Sequence, residues 1–307
     1  MLTFSIIIPC YNAQHTLIET LNAIKAQSYP AWDVIVIDDG STDGSRVLAS
    51  AMAAYDHRIT LVGNPGKGPS HARNHGAMDL AKGDVIAFCD ADDIWSPTKL
   101  AELATAFEDL SVDAVYGQVA FFTARPRDAI ATSTLPAGDL TVPMLLAENP
   151  VCTMSNLAIR RAAFAATGGF NPEIVHNEDL EWLIRLVGDG ARVIGLDMLQ
   201  VWYRASAGGL SADLVAMTRG RAIAVATAAR YGHVPSRAAD ATYLRYLSRR
   251  SLRLGQGRLQ PLRYALRGLI QSPVGFFNVP RRGLLTLIGA LIAVVLPRPC
   301  AKALFSK

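Results

Sequence analysis

The sequence predicts an α/β fold organised around a mostly parallel central sheet flanked by helices, and three observations carry that expectation. Over the first 120 residues, short runs of branched apolar residues alternate with longer amphipathic stretches. Such alternation argues for βαβ units with right-handed crossovers. The acidic, polar clusters fall where the strands end, which is where open α/β sheets bind ligands. Finally, the 307 residues are half apolar with ordinary glycine and proline. That composition can bury a core in one or two domains and is unlike a disordered or collagen-like chain.

The elements follow in order. Residues 4–9 form the first strand, and Pro9 marks its departure from the sheet because proline cannot donate to a ladder. Residues 16–27 form a helix with Leu17, Leu21 and Ile24 at helical spacing. Residues 33–37 make the second strand, followed by an acidic Gly/Ser turn and a helix near 45–55. Residues 59–62 make a third strand, 70–81 a helix, and 85–88 a fourth strand that runs into Asp90. From about Val112 the pattern changes: 114–122 reads as a strand and 123–141 as a loop-rich insert containing Pro126, Pro136 and Gly138. Residues 164–186 hold the Gly168-Gly169 turn and a helix opening at Asn177-Glu178-Asp179. Residues 212–229 read as a helix, and an Arg-rich stretch at 237–267 precedes an apolar run at 284–296. One domain over residues 1–215, divided near residue 110, and a helical, Arg-rich extension over 216–307 are expected.

Charge is unevenly distributed. From Arg219 onward, 16 Lys and Arg stand against Asp240 alone, a balance of +15 that leaves −11 for the preceding 218 residues. Such a tail suits an anionic partner, a membrane surface or a nucleic acid, or is simply a solvated helical face. The 13-residue run 284–296, apolar but for Thr286, would span ~20 Å as a helix. A hydrocarbon core is roughly 30 Å thick, so the run reads as an interfacial segment or a buried core helix. Arg281, Arg282, Arg298 and Lys302 bracket it, with Phe276 and Phe277 as candidate interface anchors. The four cysteines, Cys10, Cys89, Cys152 and Cys300, form neither a metal-type pair nor a disulfide framework. The chain enters its first strand with no signal-like region, so cytosolic synthesis with reduced thiols is expected.

The strand ends carry the candidate chemistry. Tyr11, after Pro9-Cys10, could stack on a base or pack under a loop. Asp38-Asp39 closes the second strand, where adjacent carboxylates are costly unless something pairs with them. Asp39 could accept from a nucleobase or ribose, while Ser41 or Asp43 could start the next helix. Arg73 could face a pyrimidine or a diphosphate. Asp90, Asp92 and Asp93 crowd the fourth strand end. Their mutual repulsion favours a hard divalent cation, Mg²⁺ or Mn²⁺, which takes one or two carboxylates plus substrate phosphates. Asn177 or Asp179 could cap the helix that follows, or a carboxylate there could act as a base.

Ile7-Ile8-Pro9-Cys10-Tyr11-Asn12, Val36-Ile37-Asp38-Asp39-Gly40-Ser41-Thr42-Asp43, Ala72-Arg73-Asn74-His75-Gly76 and Phe88-Cys89-Asp90-Ala91-Asp92-Asp93 resemble the successive signatures of family 2 glycosyltransferases. Gly168-Gly169-Phe170 and Glu178-Asp179 are similar to that family's acceptor-side pattern. The resemblance implies a GT-A fold and inverting transfer from a nucleotide sugar, with UDP preferred, to a saccharide or lipid-linked saccharide in surface polysaccharide synthesis. It also implies that Pro9, Tyr11, Asn12, Asp39, Arg73, Asp90, Asp92, Asp93 and Arg204 line the donor site. Asp90 and Asp92 become the metal pair, Asp179 the base and Glu178 its neighbour. The family often has a His after Tyr-Arg; here Tyr203-Arg204 is followed by Ala205-Ser206, with Ser206 near that place.

Other classes fit less well. A dinucleotide-binding domain would need G-x-G-x-x-G in its first turn, and a phosphate-binding loop is absent as well. A sugar nucleotidyltransferase would need a Gly-rich basic loop after the first strand. A nucleic-acid-binding protein would rest on the tail alone, against an acidic body, so no nucleic-acid partner is expected. Peripheral contact with the inner face of the cytoplasmic membrane is the expectation for the tail.

Overall fold

A computed structural model describes residues 1–129, 131–205, 212–296 and 304–305. They fall into two compact units, residues 1–141 with 150–206, and residues 142–149 with 207–307. The sequence suggested a single break near 215; the chain instead lends one internal segment to the second unit.

The first unit is built on one sheet. Strands β1 (Phe4–Cys10), β2 (Trp32–Asp38), β3 (Ile59–Gly63) and β4 (Val85–Phe88) are mutually parallel in the order β3-β2-β1-β4. β1 and β2 read as nearly unbroken apolar runs because both faces are covered. Pro9 does not end β1. It pairs with Ile37, and Cys10 pairs with Asp38. Cys10 and Asp39 bond on the β2 side, whereas Ile7 bonds toward β4, so Pro9's missing donor also faces β4. β4 pairs with β1 only as far as Ile7 and Phe88, so this ladder ends where Pro9 would have to donate.

Helices α1 (Leu17–Lys25), α2 (Ser45–Tyr55) and α3 (Pro69–Asn74) connect these strands; α1 buries Leu17, Thr20, Leu21 and Ile24 on one stripe. α3 runs on as a π-helical turn over His75–Leu80. Beyond β4 the sheet becomes mixed. β5 (Ile94–Trp95), α4 (Lys99–Ala106), β6 (Ala114–Phe122), the two-residue β7 (Ala131–Thr132), β8 (Ala158–Arg160) and β9 (Val193–Arg204) follow. β8 joins antiparallel to β4 and β6, β9 parallel to β6, β5 antiparallel to β9, and β7 antiparallel to β6. β7 and a 3₁₀ turn at Pro126–Asp128 are the only regular structure described in the insert. α6 (Arg161–Ala166) and α7 (Glu178–Gly188) complete the unit.

The second unit is helical. It holds α5 (Val142–Ala147), α8 (Leu214–Arg230), α9 (Arg237–Leu254), α10 (Gln260–Gln271), α11 (Pro273–Phe276) and α12 (Pro280–Val295). α9 is the centre against which α5, α10, α11 and α12 pack. Its small core gathers Ala241, Ala265, Phe276 and Ala290. No helix among the described residues is long and apolar enough to cross a membrane. Arg298, Cys300 and Lys302 lie outside the described residues, as does Ser206.

Lys99 is fully buried at the start of α4, with Nζ 3.2 Å from the Ser155 carbonyl oxygen and 4.8 Å from the Trp95 ring centre. Burial lowers its pKa from the ordinary 10.5 to about 7. Below that value the ammonium is charged in both states and the native state bears its desolvation in full; as pH rises toward 10.5, only the unfolded chain stays protonated and the deficit fades. Lys99→Met should therefore raise the melting temperature most below about pH 7, with a gain that shrinks toward pH 10.5. Thermal melts of both proteins across that range measure it.

Candidate active site

The ends of β1 and β2 carry two loops laced together by side chains. Asn12 sits at φ +50°, where its Oδ1 accepts from the Thr42 N–H at 2.8 Å and its own N–H donates to Ser41 Oγ at 3.1 Å. Asp38 is committed to this turn, accepting from the Ser41 N–H and pairing with Arg46 at 3.1 Å. Asp43 accepts from the Ser45 N–H at 2.9 Å, but the N-cap of α2 is Gly44, so neither Ser41 nor Asp43 takes the capping place expected of them.

Asp39 belongs to a different constellation. Its carboxylate accepts from the Gly68 N–H at 3.0 Å and from Asn64 Nδ2 at 2.6 Å, and it pairs with Lys67 at 3.2 Å. Gly68 adopts φ +88°, a conformation an L side chain rarely takes, so glycine is needed to bring this N–H onto Asp39. Lys67 Nζ also lies 4.5 Å from the centre of the Tyr11 ring, which is 55% exposed. An open aromatic face, a cation and a carboxylate with polar neighbours thus meet at one strand end. Such a set can stack on a flat base and hydrogen-bond its edge.

Arg73, on α3, lies at the centre of the second cluster and is 5% exposed. Nη1 donates to Glu178 Oε1 at 3.0 Å and Nη2 to Asp90 Oδ1 at 2.9 Å, while Nε has no partner. One buried guanidinium therefore ties the end of β4 to the start of α7. α7 opens with Asn177 in the left-handed region at φ +59°, and the Asn177 side chain makes no capping bond. Burial raises the pKa of Glu178, with Asp179 adding to the rise and Arg73 opposing it. Burial raises Asp179 as well. The turn before α7 is held from α3. Asn74 Nδ2 donates to the Phe170 carbonyl at 2.8 Å, and its Oδ1 accepts the Phe170 N–H at 2.8 Å. A Cβ on Gly169 would sit 2.5 Å from that Oδ1, so only glycine allows the approach.

The three aspartates after β4 have separate fates. Asp90 accepts from Arg73 and, at 3.2 Å, from Thr153 Oγ1, yet its side chain remains 29% exposed. Asp92 is half-buried, and burial together with Asp90 raises its pKa. Asp93 departs from the donor-lining role expected of it. It is fully buried, accepting from Ser155 Oγ at 2.5 Å and from the Arg204 N–H at 3.0 Å, and burial pushes its pKa well up. The Arg204 guanidinium is likewise engaged, with the Asp92 carbonyl at 3.0 Å and Glu19 at 2.6 Å, over the Phe122 ring. It is not a free diphosphate partner here. Ser155 organises the loop. Its Oγ accepts the Asp90 N–H at 2.8 Å, and its carbonyl accepts from Trp95 Nε1 at 3.0 Å and Lys99.

No three His, Cys, Asp or Glu side chains among the described residues form a ready-made metal cage. Asp90 and Asp92 offer carboxylate oxygens alone, and the crowding that raises Asp92 would be relieved by a dication. That donor set fits Mg²⁺ or Mn²⁺ completed by phosphate oxygens. Two cavities of about 820 and 690 Å³ lie elsewhere, lined respectively around Arg258–Tyr264 and around Thr132–Asp139.

The profile described as Glycosyl transferase family 2 matches residues 5–168, more than half of the chain. The chain belongs to this family. WfgD of Escherichia coli, named a UDP-Glc:α-D-GlcNAc-diphosphoundecaprenol β-1,3-glucosyltransferase, is 29% identical over 68% of the chain and 79% of its own length. AmsB of Erwinia amylovora, an amylovoran biosynthesis glycosyltransferase, is 40% identical over 36% of the chain and 37% of its own length. The mannosyltransferase PcManGT of Pyrobaculum calidifontis, solved with GDP-Man and Mn²⁺, superposes with a TM-score of 0.61 at 21% identity, covering 99% of this chain and 84% of that one. S. aureus TarS 1–349, solved with UDP-GlcNAc, gives 0.60 at 18% identity over 98% and 90%. The protein is a glycosyltransferase with the GT-A fold.

Sequence reasoning for this transferase missed Asn64, Lys67, Thr153, Ser155 and Glu19. Lys67, set between Gly66 and Gly68 in the β3–α3 turn, was a visible signal. Nothing in residues 153–156 announced a partner for the aspartates of β4. Removing the central cation tests the arrangement. Arg73→Met leaves Glu178 buried and unpaired and should cost about 3–5 kcal/mol in urea denaturation. Adding Glu178→Gln should return part of that loss, because the stranded charge is then gone.

Proposed function

We propose that this transferase moves a sugar from a UDP-sugar onto a lipid-linked saccharide with inversion, at the cytoplasmic face of a membrane, in surface polysaccharide synthesis. The observation that carries the reading is the Arg73 bridge, which holds the strand end bearing Asp90 and Asp92 beside the helix start bearing Glu178 and Asp179. The names of WfgD, with a UDP-Glc donor and a diphosphoundecaprenol acceptor, and of AmsB support the substrate classes. The S. aureus TarS complex with UDP-GlcNAc supports the donor.

In this reading Tyr11 stacks on the uracil, and Asp39 accepts from the base or ribose while Lys67 and Asn64 hold its carboxylate. Pro9 and Asn12 shape the loop beneath the nucleotide. Asp90 and Asp92 would hold a Mg²⁺ or Mn²⁺ ion, which when bound neutralises the charge of a departing diphosphate. Asp179 takes the proton of the acceptor hydroxyl as its oxygen bonds the anomeric carbon from the opposite side. The anomeric carbon–phosphate oxygen bond breaks, and UDP leaves with the electron pair. Glu178, pinned by Arg73, fixes the start of α7 and thereby positions Asp179 as a base.

Two measurements test this. Asp39→Ala should weaken UDP binding by calorimetry, and should also lower the melting temperature because the Gly68 N–H and Asn64 lose their acceptor; unaltered affinity would leave Asp39 a purely structural role. Asp179→Asn should cut turnover by about 10²–10⁴-fold with donor affinity preserved, the signature of a group acting in the transition state. Near-normal turnover in that variant, or a product whose anomeric configuration by NMR equals the donor's, would overturn the mechanism.

A further inference from the structure

We infer that the outward faces of α10 and α12 dock the second unit on an anionic lipid bilayer, with α12 lying along the surface. The proposal deepens the reading of a lipid-linked acceptor by naming the surface that meets the membrane. It rests on observations separate from the transfer chemistry.

α12 has the reverse of the polarity expected of a helix facing water. Its buried face consists of Gly283, Thr286, Gly289, Ala290 and Ala293. Its outward face presents Leu284, Leu285, Ile288, Leu291 and Val295, exposed by 53, 59, 42, 52 and 78%. The small inward residues let the helix close on its neighbours: a Cβ on Gly289 would lie 3.1 Å from Leu252 Cδ1. Small residues toward protein and large aliphatic ones away from it is how helices are arranged in lipid. At 16 residues α12 is about 24 Å long, short of a hydrocarbon core of roughly 30 Å. It therefore suits the membrane plane, with its aliphatic stripe sunk into the acyl boundary.

Charge selects the occupant. The exposed stripe of α10 reads Arg263, Leu266, Arg267 and Ile270, and Arg281 opens the stripe of α12. From Ala241 to the C-terminus the chain has no Asp or Glu. Glu148, the acid beside the start of α12, is already paired with Arg245 and Arg282, so a second copy seated on this face would bring Arg263, Arg267 and Arg281 against their own counterparts. Anionic headgroups attract each of them, and the interleaved aliphatic side chains enter the layer beneath.

The test uses the full chain and flotation with vesicles of phosphatidylcholine alone or phosphatidylcholine mixed with phosphatidylglycerol. The chain should float with the anionic vesicles, and less so as salt rises. The double variant Leu285→Gln, Ile288→Gln, both exposed in the fold, should lose about tenfold or more in partitioning. Arg263→Gln with Arg267→Gln should weaken only the dependence on phosphatidylglycerol. Circular dichroism and UDP calorimetry should be unchanged in both, which separates this proposal from the transferase reading; absent donor turnover with intact flotation would count against that reading alone. Wild-type protein that ignores anionic vesicles, or apolar variants that float like wild type, would overturn the proposal. So would sedimentation showing a dimer that Leu285→Gln, Ile288→Gln converts to monomer, which would give the face to a second copy.

Discussion

The arrangement of the candidate site depends on one buried cation. A guanidinium as deep as that of Arg73 is tolerable only where carboxylates and hydrogen bonds offset its desolvation. Asp90 and Glu178 do so from elements that are distant in sequence. The short helix α3 serves as an axle. Its N-cap residue, Gly68, presents an N–H to Asp39, its penultimate residue is Arg73, and its last residue, Asn74, clamps the backbone of Phe170. The proposed nucleotide end and the proposed base end of the crevice are therefore both referenced to α3 and its N-cap.

Acid crowding at β4 is managed by division of labour. Asp93 faces inward, where Ser155 and the backbone of Arg204 satisfy it, and it braces the loop. Asp90 and Asp92 retain oxygens near the surface. Ser155 is the common partner: its hydroxyl accepts from the loop and donates to Asp93, while its carbonyl takes the Trp95 indole and the Lys99 ammonium. A single hydroxyl-bearing residue thus joins the acidic loop to two of the largest buried side chains nearby.

Most of the first half was legible because its code is local. The apolar runs of β1 and β2 and the 3–4 spacing in α1 follow from which faces are buried, and the family signatures sit at strand ends. The mixed second half of the sheet was not legible. Strand pairings such as β4 with β8 and β6 with β9 join segments whose partners no local period reveals. Asp93 and Arg204 misled for a related reason: their types suit a ligand site, but burial and Glu19, far away in sequence, decide what they do. Ser155 carried no signal, since a serine looks alike whether it holds a carboxylate or water.

The assignment of α5 to the second unit has a consequence for how the chain is made. Val142, Leu145 and Leu146 bury themselves in that unit, where α5 packs against α9, which is synthesised much later. At about 5–20 residues per second, on the order of ten seconds pass between the two leaving the ribosome. Throughout that interval an apolar helix emerges from within the sequence of the sheet unit with its own partner still unwritten. Nascent chains are thus most vulnerable to aggregation between the completion of α5 and the arrival of α9, and a chain halted after β9 would carry that orphaned helix permanently.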